Sequence, residues 1–305
     1  MIFVDSRTDG GKIKGKVAMY CRLMKVSRQG FYVHLRKKDR PYKYEALVNA
    51  IRKIIEEDEY NDTYGRNRMY QALKLKSPDG VKLPCRQTVR KVMRDNHLSV
   101  PTKRKPNGIT KADREAQKSD NKIKRDFTAD QPFVKGVTDI TEVPAKDGKL
   151  YVYVSAIFDC FDSEVLGLSM DNNMKADLCV KTLSNAVKAH PQLRQAIIHS
   201  DRGSQYTSAK YRAAIAKNEI VQSMNSAGGR CHDNARCESM WARMKEEMFY
   251  SRNRKPEDYS IEELKSMVWY YFISYWNNRR ICSANEGFPP VVKRRQYYSN
   301  LKAVA

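Results

Sequence analysis

Two carboxylates separated by 36 residues constrain this chain more than any other feature. Asp201 closes an apolar, strand-like run, AIIHS, and Glu238 lies in a helix-like segment, RCHDNARCESMWARMKEE. Between them the pattern predicts a helix over residues 208–217, a short strand over 220–224 and a glycine-containing loop over 225–230. An acid at a strand's C-terminal end meets an acid on a later helix only where helix packs on sheet. The pairing points to a divalent-metal site.

At 305 residues the chain is long enough for two compact domains. No apolar run approaches the ~18 residues of a membrane span, and the first residues hold no apolar segment of signal-peptide length. The expectation is a soluble, cytoplasmic protein. Seven scattered cysteines without CxxC spacing indicate neither a disulfide framework nor a zinc ribbon, and read as reduced, mostly buried thiols. The net charge of +22 is uneven: residues 1–126 hold 32 Lys and Arg against 15 Asp and Glu, whereas residues 127–305 hold 25 against 20. A field of that sign draws polyanions, with salt-sensitive affinity through counterion release.

Along the chain, residues 16–38 read as two short helical segments interrupted at 27–30, where Ser27 can cap and Gly30 can break the pattern. Residues 44–58 place Leu47, Ala50, Ile51, Ile54 and Ile55 on one helical face. RNRMYQALKLK and CRQTVRKVMRDNHL follow as two helices around SPDGVKLP. The second buries Val89, Val92 and Met93 and leaves Arg86, Arg90, Lys91 and Arg94 outside. That is a helix-turn-helix arrangement able to enter a major groove, or a structural bundle with a solvated basic face. Residues 100–126 are a polar, basic linker in which Lys103, Arg104 and Lys105 can track phosphate or stay solvated. From Phe133 the pattern turns α/β: a strand carrying Asp139, two further strands with hairpin turns, a helix over MKADLCVKTLSNAVKAH, then the strand ending at Asp201. Three meandering strands, a helix, a fourth strand and more helices is the order of an RNase H-like layer fold. A capped helix follows over residues 260–276, with Ser260 and Glu263 as a capping box.

Asp139 interrupts a strand that otherwise alternates apolar residues. With Asp201 on a neighbouring strand and Glu238 on the packed helix, three hard oxygen donors can converge, a set suited to Mg²⁺ or Mn²⁺. Two such ions can activate a nucleophilic oxygen and stabilise a leaving one at phosphorus. Lys245, two turns beyond Glu238, lies on the same helical face and can reach a phosphate, or is a solvated lysine.

VTDIT, HSDRGSQYTS, SMNSAGGRCHDNARCESMWARMKEE and YFISYWNNRR together resemble the integrase-core D-D-E transposases of bacterial insertion sequences, specifically the second-frame (OrfB) product of the large family with two overlapping frames. MYCRLMKVSRQGFY and TYGRNRMYQAL extend the likeness over nearly the whole chain. The resemblance implies a retroviral-integrase-type RNase H-like core over 127–250, preceded by a helical DNA-binding region with a helix-turn-helix (1–99) and the basic linker (100–126), and followed by a C-terminal helix and basic tail (251–305). It implies Asp139, Asp201 and Glu238 as the catalytic and metal-holding triad, two bound ions, and Lys245 as a DNA contact near the transferred end. It further implies DNA ends and target as partners, a homo-oligomer, a first-frame (OrfA) partner or fusion, no membrane, and work at the bacterial nucleoid. The gap between the last two acids is one residue longer than the family's usual spacing, with the excess at 227–230, and Phe133 is a weak match to the aromatic expected before the first acid.

Other groupings read differently. His199, Ser200 and Asp201 are strand neighbours pointing to opposite faces, not a nucleophile triad. Cys231, His232 and Cys237 lack a second ligand pair for zinc. Asp159 and Asp162 fit turn chemistry, and Asp233 fits a helix cap. WNNRR at 276–280 and the basic tail through Arg295 are candidates for DNA contact. The alternatives to strand transfer are a structure-selective metal-dependent nuclease and a non-catalytic DNA-binding accessory protein.

Overall fold

The computed structural model describes residues 1–13, 15–38, 42–98, 121–123, 126–146, 150–225 and 234–304. They form two compact units, residues 1–49 and 50–305. In the first, α1 (Ile2–Thr8), α2 (Lys16–Leu23) and α3 (Arg28–Lys38) close on Val4, Val17, Cys21 and Phe31. Ser27 Oγ accepts the Gly30 N–H at 2.9 Å, so Ser27 caps α3 while Gly30 lies inside it rather than breaking it. The seven residues of α1 are too few to display a helical period in sequence. Next comes α4 (Glu45–Glu56), whose Leu47, Ala50, Ile51 and Ile54 are buried at the expected spacing, with Ile55 half-buried.

The second unit is built on a five-stranded sheet: β1 (Lys135–Pro144), β2 (Tyr151–Asp159), β3 (Val165–Asp171), β4 (Ile197–Ser200) and β5 (Val221–Met224), ordered β3-β2-β1-β4-β5. The first three form an antiparallel meander, and β4 and β5 add in parallel beside β1. This is the RNase H-like arrangement, α/β with helices before the core, as the pattern predicted. One face carries α7 (Ala176–Ala189), α8 (Ser204–Thr207) and α9 (Ala209–Lys217) over a core of Ile157, Leu166, Leu183, Ile198, Tyr211 and Ile215. Gly167 permits the close approach of α7 to β3: a Cβ there would lie 2.6 Å from the Thr182 carbonyl oxygen and 2.7 Å from Ala186 Cβ. The other face carries α10 (Ala235–Met248) and α11 (Ile261–Trp269). Beyond α11 the helix widens into a π segment, Tyr270–Trp276, where the sequence predicts unbroken α-helix. The wider turn directs Tyr271 and Trp276, five residues apart, inward together: Tyr271 Oη donates to Glu247, and Trp276 Nε1 donates to the Ser163 carbonyl.

α5 (Arg66–Lys76) and α6 (Arg86–Asp95) pack as a pair through a connection over residues 77–85, longer than the three- to four-residue turn of a helix-turn-helix. The pair shares the unit of the sheet, since Arg68 of α5 bonds Glu247 of α10 at 2.6 Å. The basic tail forms α12 (Pro290–Val304). Of the predicted linker, Ile123 is buried and the Lys122 N–H donates to Ser223 Oγ at 3.0 Å. No described helix is long and apolar enough to cross a membrane.

Candidate active site

Register and alternation bring the first two acids together. Val137 of β1 stands opposite His199 of β4, so continuing the parallel register by two residues sets Asp139 level with Asp201. Asp139 shares its sheet face with Val137 and Val143, the face covered by α10. From that helix Trp241 Nε1 donates to Asp139 Oδ2 at 3.2 Å. The indole is held between Phe158 and Phe272, at centroid distances of 5.3 and 5.6 Å. Glu238 sits one turn earlier, in the first turn of α10, with its side chain exposed.

Burial, then the negative charge of Asp201, then that of Glu238 push Asp139 up to about 8, against the Ile140 and Trp241 N–H groups. Burial also raises Asp201, opposed by the Gly203 N–H that its Oδ1 accepts at 2.9 Å and by His199. Glycine suits position 203, because a Cβ there would lie 3.1 Å from Asp201 Oδ1. Lys245 is half-buried on α10; burial lowers it, against the attraction of Glu142 and Asp139. Asp139, Asp201, Glu238 and Lys245 thus share one face, with Glu238 on its rim. Among the described residues no three or more His, Cys, Asp or Glu side chains close into a metal-holding group. The carboxylates nevertheless suit a hard divalent ion in kind, being oxygen donors of which Asp139 is raised by burial first and then by its acidic neighbours.

Arg86, Arg90, Lys91 and Arg94 all lie on the exposed side of α6, where Arg86 stacks 5.2 Å from the Tyr70 ring. Lys103, Arg104 and Lys105 fall outside the described residues, as do Cys231, His232 and Asp233. His199 nitrogens lie 2.9 Å from Ser223 Oγ and from Asn225 Oδ1, and Ser200 Oγ donates to the Asp201 carbonyl, so no nucleophile triad is built. The described cysteines are free, and all but Cys85 are buried.

Two sequence readings are corrected. Turn bonds to the Phe161 and Glu164 N–H groups explain only part of Asp159 and Asp162, which are fully buried around Arg294 together with Glu164. Trp276, Asn277, Arg280 and Arg294, offered as DNA contacts, are buried; Asn278, Arg279 and Arg295 remain exposed. Trp241 was missed as a site residue, although its position three residues after Glu238 puts it on the same helical face.

A family profile described as the integrase core domain matches residues 129–231, a span that holds Asp139 and Asp201. The putative transposase InsK for insertion sequence element IS150 of Escherichia coli (strain K12) is 31% identical over 277 residues, covering 91% of this chain and 93% of that protein. The chain belongs to the insertion-sequence transposases. A probable transposase for insertion sequence element IS1353 of Shigella flexneri is 32% identical over 272 residues, 89% of this chain. The transposase spans about half the length of that relative, 50%. Among solved structures, the HTLV-2 integrase catalytic core domain in complex with magnesium, in its dimeric form, is similar over 53% of the transposase and 94% of that domain, at 14% identity and a TM-score of 0.38. By family the transposase is a polynucleotidyl transferase, an enzyme class acting in DNA transposition.

Proposed function

We propose that the transposase cleaves DNA at the ends of an insertion sequence and joins the freed ends to target DNA, in a reaction that depends on divalent metal. The observation that carries this reading is the level placement of Asp139 and Asp201 on adjacent strands, beneath the helix that carries Glu238 and Lys245. Asp139, Asp201 and Glu238 would hold Mg²⁺ or Mn²⁺, two ions in all. Bound there, the metal supplies activation of the attacking oxygen and charge stabilisation at the leaving one.

The rest follows from the chain's own residues. Water or a terminal hydroxyl attacks phosphorus at an element end, a new P–O bond forms, and the old one breaks to leave a 3′-hydroxyl. That hydroxyl then attacks a target phosphodiester, forming the joining P–O bond as the target strand's own P–O bond breaks and releases its 3′-hydroxyl, with no covalent protein intermediate. Lys245 binds phosphate beside Asp139. Trp241 holds the Asp139 carboxylate in place through its Oδ2. Arg86, Arg90, Lys91 and Arg94, with Lys103, Arg104 and Lys105, bind end and target DNA within a region comprising residues 1–99 and the linker 100–126, while residues 127–250 are the catalytic core and 251–305 its C-terminal extension. Two ends handled together call for a homo-oligomer, with or without a first-frame partner. Work on chromosomal DNA puts the protein at the nucleoid, in the cytoplasm.

The test incubates the protein with labelled element-end DNA, a target plasmid and Mg²⁺ or Mn²⁺, beside Glu238→Gln. Joined products from wild type alone are expected. Cleavage without joining would replace this reading with a nuclease, and unchanged DNA binding with no reaction in either sample would replace it with an accessory protein.

A further inference from the structure

We infer that Arg202 is a phosphate-binding residue of the active site, gripping the cut strand on the side of the carboxylates opposite Lys245; the inference rests on the transposase reading. Arg202 directly follows Asp201, yet the two do not pair: Asp201 Oδ1 is turned to the Gly203 N–H at 2.9 Å, and Arg202 Nε donates to the Asn225 carbonyl at 2.5 Å. Asn225 is fixed from two sides. Its N–H donates to the Ser200 carbonyl at 3.2 Å, and its Oδ1 lies 2.9 Å from Nε2 of the buried His199. A guanidinium pinned through Nε on so rigid a seat presents its two terminal nitrogens side by side. That fork matches two non-bridging oxygens of a phosphate. Among the described residues Arg202 makes no ion pair; its Nε bond to the Asn225 carbonyl leaves the two terminal nitrogens for the phosphate.

Its place in the sheet gives the direction of the strand. Lys245 lies in the field of Asp139 and Glu142 on β1, whereas Arg202 reaches the end of β5, with Asp201 of the β4 terminus between them. β1 and β5 are two strand spacings apart, about 10 Å. A DNA strand laid across the sheet would meet Lys245, then the carboxylates, then Arg202. The cations flank the acids without neutralising them.

The test is metal-free binding of a short, labelled, random-sequence duplex, followed by fluorescence anisotropy across a salt series in the presence of chelator. Arg202→Gln is expected to reduce the slope of log affinity against log salt by about 0.9, the loss of one phosphate contact. Arg202→Lys, which keeps the charge but not the Nε anchor, is expected to retain the wild-type slope. An unchanged slope in Arg202→Gln would overturn the inference. So would an equal loss in both variants, which would trace the effect to the Asn225 seat. Wild-type protein offers a check free of folding effects: phenylglyoxal should modify Arg202 in the free protein and not in the duplex complex, and equal modification in both would likewise overturn the inference. Salt-independent or absent binding by wild type would refute the transposase reading itself, and this inference with it.

Discussion

Glu247 sits at the centre of a buried network that ties α5, α10 and the π segment together, and its removal should be costly in a pH-dependent way. Its Oε1 accepts from Arg68 Nη1 and Arg280 Nη2, each at 2.6 Å, and its Oε2 accepts from Tyr271 Oη and Arg280 Nε, each at 2.9 Å. Burial alone would raise this carboxyl, but Arg280 and Arg68 hold it down to about 2, from an ordinary 4.5. A folded-state pKa below the unfolded one means the contribution is complete above about 4.5 and is lost as the pH falls towards 2. The shift corresponds to about 3 kcal/mol. Glu247→Gln deletes the charge and leaves Arg280 buried, its side chain only 4% exposed. Breaking such a pair from one side costs about 3–5 kcal/mol. Urea unfolding at pH 7, followed by tryptophan fluorescence, measures the loss; Trp276, with the Arg280 guanidinium 4.3 Å from its ring, reports locally. At pH 3 the gap between variant and wild type should narrow by about 2 kcal/mol, because wild type has by then lost that much of the contribution. A loss below about 1 kcal/mol at pH 7, or a gap that does not change with pH, would refute the reasoning.

Three further outcomes are expected. Around Arg294, burial raises Asp159 to about 6 and Glu164 to about 7, so their contribution is fully present at low pH and declines as the pH rises through those values. Glu164→Gln should therefore raise the urea midpoint at pH 8 and leave it unchanged at pH 4; a lower midpoint at pH 8 would show that Arg294 needs all three acids. Gly167→Ala should destabilise by about 1–3 kcal/mol in the same assay, since backbone and Ala186 block the new methyl. Trp241→Phe keeps the stack on Phe158 but removes the N–H to Asp139, and should lower kcat for strand joining at least about threefold with the unfolding midpoint little changed. Equal joining rates would remove Trp241 from the site.

Much of the architecture was legible because it is written in local periods. Val89, Val92 and Met93 repeat at helical spacing and are buried on α6, and the alternation around Val137, Asp139 and Val143 marks a strand facing a helix. Short elements escaped: α1 has too few residues for a period, and the π widening after Trp269 leaves the same aromatic spacing as an α-helix would. The site was half legible. The acids stand out by residue type, whereas the bonds of Trp241 to Asp139 and of Arg202 to Asn225, on which their proposed roles rest, join partners that sequence does not name.

Sequence alone determined the longer, periodic strands and helices, where the charge lies, and which acids are candidates for chemistry, because these depend on neighbours within a few residues. Tertiary structure alone decided which of the chain's many cations serve the fold. Arg280 and Arg294 read as tail and DNA-contact residues, yet both are buried against acids far away in sequence, Glu247 for the one and Asp159, Asp162 and Glu164 for the other. A charge is buried only when a distant partner is brought to it, and that pairing follows from strand register and helix packing rather than from any local pattern.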